Sequence, residues 1–223
     1  MEEIINRIWV GSDKDHQTAL SRGWTILVTA KNGSEGSHRS LLQYQGRSAP
    51  AGKNYYFVDT GKVAAENLID VDDPRLIAAE AVNDGLEFLK KHYEKDENIL
   101  IHCNHGVSRG PTTALMFLRT LGEFPGNFHK SCEKLKTLYP QFDPAQGIKT
   151  FAHANWRNLL WRGKTENVHN RYTKEEAQYE FPAKMEHYCK DCIHFQSPSS
   201  CSIVVGLIEP KAWCRFWEKK KEE

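Results

Sequence analysis

Cys103 stands in the run His102-Cys103-Asn104-His105-Gly106-Val107-Ser108-Arg109, between the apolar stretch Ile99-Leu100-Ile101 and a helical pattern that opens with Gly110-Pro111. A thiol at the end of a strand, ahead of a tight loop and a helix N-terminus, faces backbone N–H groups with the positive end of the helix dipole behind them. A loop of this kind binds a phosphate-like oxyanion, here through residues 102 to 109. The same field favours thiolate over thiol, which makes Cys103 a candidate nucleophile. Arg109 is placed to fork onto two phosphoryl oxygens and hold their charge. Gly106 lets the loop curl where a Cβ would intrude. His102 is expected to orient the loop, since a thiolate already formed needs no base, and His105 to contact it.

A second group lies at the other end of the chain. Cys189, Cys192, Cys201 and Cys214, spaced x2, x8 and x12, offer four soft ligands in a segment too short to build a core of its own. One zinc ion held by four thiolates would staple it, and so would a [4Fe–4S] cluster. Zinc ribbons bring a second Cys-x2-Cys pair, which this chain lacks. Disulfides or unligated thiols are the remaining alternative.

The elements that must position these groups are legible as patterns. Ile8–Val10, Thr25–Val28, Tyr55–Val58 and Asn98–Ile101 are short runs rich in β-branched and aromatic residues, and read as buried strands. Asp73-Pro74 is a cap followed by proline at the first helical position, and Val82, Leu86, Leu89 and Tyr93 repeat behind it, so one helix is expected over about 74 to 94. Three further helices follow the fourth strand: one through Ala114, Leu115, Leu118 and Leu121, one through Phe128, Cys132, Leu135 and Leu138, and one through Ile148, Phe151, Asn155, Trp156 and Leu159. The fold class is α/β, a central mostly parallel sheet flanked by helices, with a small four-cysteine metal or cluster module after it. Residues 31–54 read as a long Gly/Ser-rich loop. Domain boundaries are placed at 1–163, a polar linker over 164–184, and the cysteine module over 185–223.

His-Cys-x-x-Gly-x-x-Arg resembles the signature of the cysteine-dependent protein tyrosine and dual-specificity phosphatases. The resemblance spans about residues 4–162 and includes Tyr139-Pro140-x-Phe142-x-Pro144-x-x-Gly147-Ile148. It implies hydrolysis of phosphomonoesters on proteins through a cysteinyl-phosphate, with a general acid on a loop about 30 residues before the cysteine. Asp70, Asp72 and Asp73 are the candidates. Asp72 is preferred by its spacing from Phe88, Asp70 is the runner-up, and Asp73 is better explained as the helix cap. The family usually has Ser or Thr after the arginine, where a hydroxyl assists departure of the thiolate. This chain has Gly110, and Ser108 or Thr112 would have to substitute. Two other readings stay open: an RNA 5′-triphosphatase, since capping-enzyme relatives share the Cys-x-His-Gly loop, and a catalytically idle phosphate-binding module. Cys201, Ile208, Trp213, Cys214 and Trp217 resemble the end of the high-potential iron–sulfur proteins, although Ala212 stands where that family has glycine and the loop from Cys192 to Cys201 is short for it.

Composition narrows the partners. In 223 residues, 30 Lys+Arg face 29 Asp+Glu, so no uniform basic surface recommends nucleic acid, and the loop carries no lysine to suit phosphoinositides. No apolar run suggests a membrane span, mean hydropathy is −0.62, and the acidic Met1-Glu2-Glu3 start lacks the basic and apolar parts of an export signal. The expected setting is the reducing cytoplasm, where cysteines are more often catalytic or metal-bound than paired. The expected partner is a phosphorylated protein.

Overall fold

The structure, a computed structural model, describes residues 1–124, 127–156, 159, 177–183, 187–196, 200–201, 203–204 and 208–220. It divides into two units, Met1–Trp161 and Arg162–Glu223.

Six strands of the first unit form one mixed sheet among the described residues: β1 (Glu2–Ile5), β2 (Ile8–Ser12), β3 (Thr25–Val28), β4 (Phe57–Asp59), β5 (Val63–Glu66) and β6 (Ile99–Cys103). Their order is β1-β2-β6-β3-β5-β4. The four inner strands run parallel, and β1 and β4 add antiparallel edges. Parallel strands have both faces covered, so they read as unbroken apolar runs. Alternate residues serve opposite layers: Ile99 and Ile101 face the larger core and Leu100 the smaller, as Leu27 does against Ile26 and Val28.

The larger layer packs α3 (Ala79–Tyr93), α4 (Arg109–Thr120), α5 (Phe128–Leu138) and α6 (Gln146–Asn155) on one face. On the other lie α1 (His16–Ser21) and α2 (His38–Leu42). Helix α4 follows the cysteine loop directly, and every residue from Arg109 to Leu118 is buried, so its N-terminus is held rigidly behind the loop.

Three sequence expectations change. The helix proposed from 74 begins only at Ala79. Asp73 does cap, its Oδ1 accepting from Arg75 N at 2.9 Å, but what it caps is a single 3-10 turn, Pro74–Leu76, after which Ile77 and Ala78 are extended. The loop over 31–54 contains α2. Strands β1 and β5 carry too little β-branched signal, with sequences EEII and VAAE, and were not expected.

In the second unit, β7 (Phe195–Gln196) and β8 (Ser200–Cys201) form a short antiparallel pair. The stretch read as a linker is described over 177–183, and there it packs within this unit: Ala177 is fully buried, Glu180 bridges Trp213, and Ala183 N donates to Lys211 O at 3.1 Å. Residues 160–176 lie outside the described ones.

Candidate active site and cysteine cavity

Pairing of β6 between β2 and β3 carries Cys103 to the end of the sheet, opposite Ser12, with the loop turning into α4. Cys103 is buried. Gly106 has φ +73°, and a Cβ there would stand 2.7 Å from Gly11 O and 3.0 Å from the Tyr139 hydroxyl, so the turn admits no side chain. The N–H groups of Asn104, His105, Gly106, Val107 and Ser108 find no acceptor among the described residues.

Arg109 is 6% exposed. Its Nη1 donates to Leu68 O at 3.1 Å, while its buried Nε has no hydrogen-bond partner among the described residues. The guanidinium is thus pinned at one end by the Leu68 carbonyl, and its Nε makes an ion pair with Asp70 and no hydrogen bond among the described residues.

The acid candidates separate. Asp70 comes to the loop: Ser108 Oγ donates to its Oδ1 at 2.9 Å, and Arg109 Nε lies 3.6 Å from its Oδ2. Ser108 Oγ in turn accepts from Ala145 N at 3.0 Å, and Asp143 N donates to Val107 O at 2.8 Å, so the segment after α5 braces the same loop. The Asp70 and Asp72 carboxylates are both exposed; Asp72 has its backbone against Gly147 and no hydrogen bond to the loop among the described residues. The preference for Asp72 rested on a residue count back from Phe88, which places it in sequence but does not say which carboxylate reaches the loop.

The two hydroxyls considered as substitutes for the missing one are engaged elsewhere. Thr112 Oγ1 donates to Ser108 O at 2.7 Å, and Ser108 Oγ is shared between Asp70 and Ala145. Gly110 is itself tightly placed, since a Cβ on it would lie 3.0 Å from both Cys103 N and the His102 carbonyl carbon.

Around the loop, Asn104 Oδ1 accepts from Ser34 Oγ at 2.6 Å, Asn104 O accepts from Asp13 N at 3.3 Å, and His105 is exposed. His102 is fully buried and shares a 2.9 Å hydrogen bond with His16; burial, then the neighbouring His16, pushes it down to about 4. Tyr139 is also fully buried, accepts from Gln141 Nε2, and is pushed up to about 12 by burial. The sequence held no signal for His16 or for the Leu68 carbonyl, because both act through contacts far away in the chain.

In the second unit, Cys189, Cys192, Cys201 and Cys214 are all buried and line one small cavity of about 10 Å³ together with His194, Phe195, Ile203, Ile208 and Phe216. Burial pushes the Cys189 thiol up to about 12, and Cys214, Cys192 and Cys201 push in the same direction. No three His, Cys, Asp or Glu side chains among the described residues close on a single ion position. Backbone N–H of Glu218 donates to Cys192 Sγ at 3.4 Å, a contact that suits a ligating sulfur.

No family model matches the chain. Among solved structures, a leucine-rich repeat and phosphatase domain protein from Entamoeba histolytica is 15% identical, at a TM-score of 0.50, over 71% of this chain and 91% of that one. The human tyrosine phosphatase-like serine/threonine/tyrosine-interacting protein is 12% identical at a TM-score of 0.50, over 71% and 96%. Human DUSP28 is 15% identical at 0.50, over 71% and 97%. Likeness at this identity shows the fold. Thirty-eight residues, 17% of the chain, are 46% identical to the high-potential iron–sulfur protein of Rhodopila globiformis and cover 67% of it. An iron oxidase of Acidithiobacillus ferrooxidans is 39% identical over 41 residues, which span 46% of its length. The chain therefore joins a unit with the dual-specificity and tyrosine phosphatase fold to a four-cysteine segment that belongs, over those matched residues, to the high-potential iron–sulfur proteins.

Proposed function

We propose that the first unit hydrolyses phosphomonoesters of phosphotyrosine, phosphoserine or phosphothreonine in proteins through a cysteinyl-phosphate. What carries the reading is the set of loop donors beside Cys103, the N–H groups of residues 104 to 108, which find no acceptor among the described residues, with the buried Arg109 guanidinium next to them. Five consecutive N–H groups without a protein acceptor among the described residues, ahead of a helix N-terminus, are donors that an oxyanion over the thiol can take.

In the first step the Cys103 thiolate attacks phosphorus. The S–P bond forms as the bond to the leaving oxygen breaks, and that oxygen takes a proton from the Asp70 carboxyl. In the second step water attacks, passing its proton to the Asp70 carboxylate, and the S–P bond breaks to release phosphate and restore the thiolate. Arg109 and the loop amides hold the equatorial oxygens throughout. Asp70 takes the acid role here in place of Asp72 because it lies beside Arg109 and is held by Ser108.

The four cysteines of the second unit fit a [4Fe–4S] cluster, which supplies one-electron transfer when bound. Cys189, Cys192, Cys201 and Cys214 would hold it, and Phe195, Ile203, Ile208 and Phe216 keep water from the cavity. A single zinc at about 2.3 Å from each sulfur would draw the sulfurs to about 3.8 Å from one another, and no such closure on one ion position is found among the described residues.

The test is turnover by the full-length protein, purified anaerobically, on an aryl phosphate, phosphotyrosyl and phosphoseryl peptides and 5′-triphosphate RNA. Hydrolysis of the peptides supports the reading, and preference for the RNA redirects it. Tungstate binding with no turnover of any substrate leaves a phosphate-binding module and overturns the enzyme. A brown protein with about four iron and four sulfide per chain is the expected cofactor result, whereas a colourless protein with one zinc overturns the cluster.

A further inference from the structure

His16 opens α1 and His102 stands in the buried strand β6 one residue before the thiol; 86 positions of chain separate them. Their rings meet edge to face, with centroids 5.1 Å apart at 80°, and both are buried. His16 Nδ1 lies 2.9 Å from His102 Nε2, and His102 Nδ1 lies 3.3 Å from Cys103 O.

The hydrogens follow from the acceptor. A carbonyl oxygen only accepts, so the contact with Cys103 O requires a hydrogen on His102 Nδ1. A fully buried imidazole stays neutral and has one N–H, which leaves Nε2 bare. The 2.9 Å contact is then a hydrogen bond only if His16 donates it from Nδ1.

We infer that His16 is a positioning residue for the anion-binding loop: its Nδ1–H fixes His102 in the Nδ1–H tautomer, which pins the Cys103 carbonyl. Resting on the phosphate-binding reading above, this sets the plane of the Cys103–Asn104 peptide, whose N–H is the first of the unspent donors. The segment bearing His16 is itself fastened to the same place. Ser12 pairs with Cys103 in the sheet, Asp13 N donates to Asn104 O at 3.3 Å, and Asp15 accepts from Ser12 N at 2.9 Å and from the amino terminus at 2.9 Å. Gly36 walls the far side of the ring, since a Cβ there would stand 2.5 Å from His16 Cε1. The charges acting on His16 are Glu35 and Asp13, and those acting on His102 are Asp13 and Asp15. None of these carboxylates supplies the proton that His102 Nε2 must accept; among the described residues only His16 Nδ1 does.

The test uses two readouts on the full-length protein, neither of which needs turnover: affinity for tungstate, and the tautomer of His102 from long-range ¹H–¹⁵N correlations. His16→Ala should weaken tungstate binding roughly tenfold, the scale of one buried hydrogen bond, and should leave His102 as a tautomer mixture. His16→Asn carries an amide N–H where the imidazole Nδ1–H stood and should restore both. His16→Gln carries its donor at the Nε2 position and should restore neither. If His16→Ala fails to fold, the contrast between asparagine and glutamine decides. Equal behaviour of those two variants, or an unchanged Nδ1–H tautomer of His102 in any variant without the donor, overturns the inference. A wild-type protein that binds no tungstate would overturn the phosphate-binding reading, while the tautomer measurement would still decide the role of His16.

Discussion

Two regions of this molecule bury cysteine, and they do so in opposite surroundings. Cys103 ends a strand beneath a polar loop whose N–H groups are unspent, with Arg109, Asp70, Ser108 and the His102–His16 pair gathered around it. Cys189, Cys192, Cys201 and Cys214 instead face one another across a cavity walled by phenylalanine and isoleucine. The residue type is the same, and the neighbours decide its chemistry. Backbone dipoles and a guanidinium favour an exchangeable anion, so the first site suits turnover. Apolar walls favour a resident group held by several sulfurs at once, so the second suits permanence.

The comparison can be broken most sharply at the cavity. Cys214→Ala should release iron and unfold the second unit, because binding energy at a structural thiolate site, on the order of 10 kcal/mol, is also folding energy; iron content and proteolysis of residues after 177 would report it. Tungstate binding at Cys103 should survive that change, and loss of both together would mean that the two regions are not separable.

Next in size, Cys103→Ser should lower turnover by about 10⁴-fold or more while tungstate stays bound, since loop amides and Arg109 are untouched. Steady-state rates and calorimetry check it, and a rate near wild type would remove Cys103 as nucleophile. Asp70→Asn should slow poor leaving groups by about 10²- to 10⁴-fold and activated aryl phosphates much less, with Asp72→Asn close to wild type. The reverse ranking would return the acid role to Asp72.

The smallest effect concerns Gly110. With the hydroxyls of Ser108 and Thr112 engaged elsewhere, breakdown of the cysteinyl-phosphate should limit the rate, and rapid mixing should show a burst of phenol. Gly110→Ser supplies a hydroxyl but also a Cβ 3.0 Å from backbone of residues 102 and 103, so it should cost about 1–3 kcal/mol in thermal unfolding. A stable variant with a faster steady state would show that the loop can yield.

Much of this was already legible in the chain. The 99–101 run, the loop from 102 to 109 and the apolar face of α4 specify a strand, a turn and a helix locally, because propensity, periodicity and the turn glycine all act within a few residues. Spacing alone likewise grouped the four terminal cysteines, which the fold brings to one cavity. Strand β5 was not legible: its VAAE sequence has weak β character, and Glu66 looks like a surface residue, yet β3 and β4 flank the strand and the fully buried carboxylate lies against Gly85 of α3. That Asp70 rather than Asp72 comes to the loop rests on contacts with Ser108 and Arg109, some 38 residues away in sequence. His16 depended on the order of the sheet, which sets β2 beside β6. Local chemistry is written in neighbouring residues, whereas which donor meets which acceptor across the chain is decided by packing, because a hydrogen bond reaches only about 3 Å and only the folded chain brings residues 16 and 102 within it.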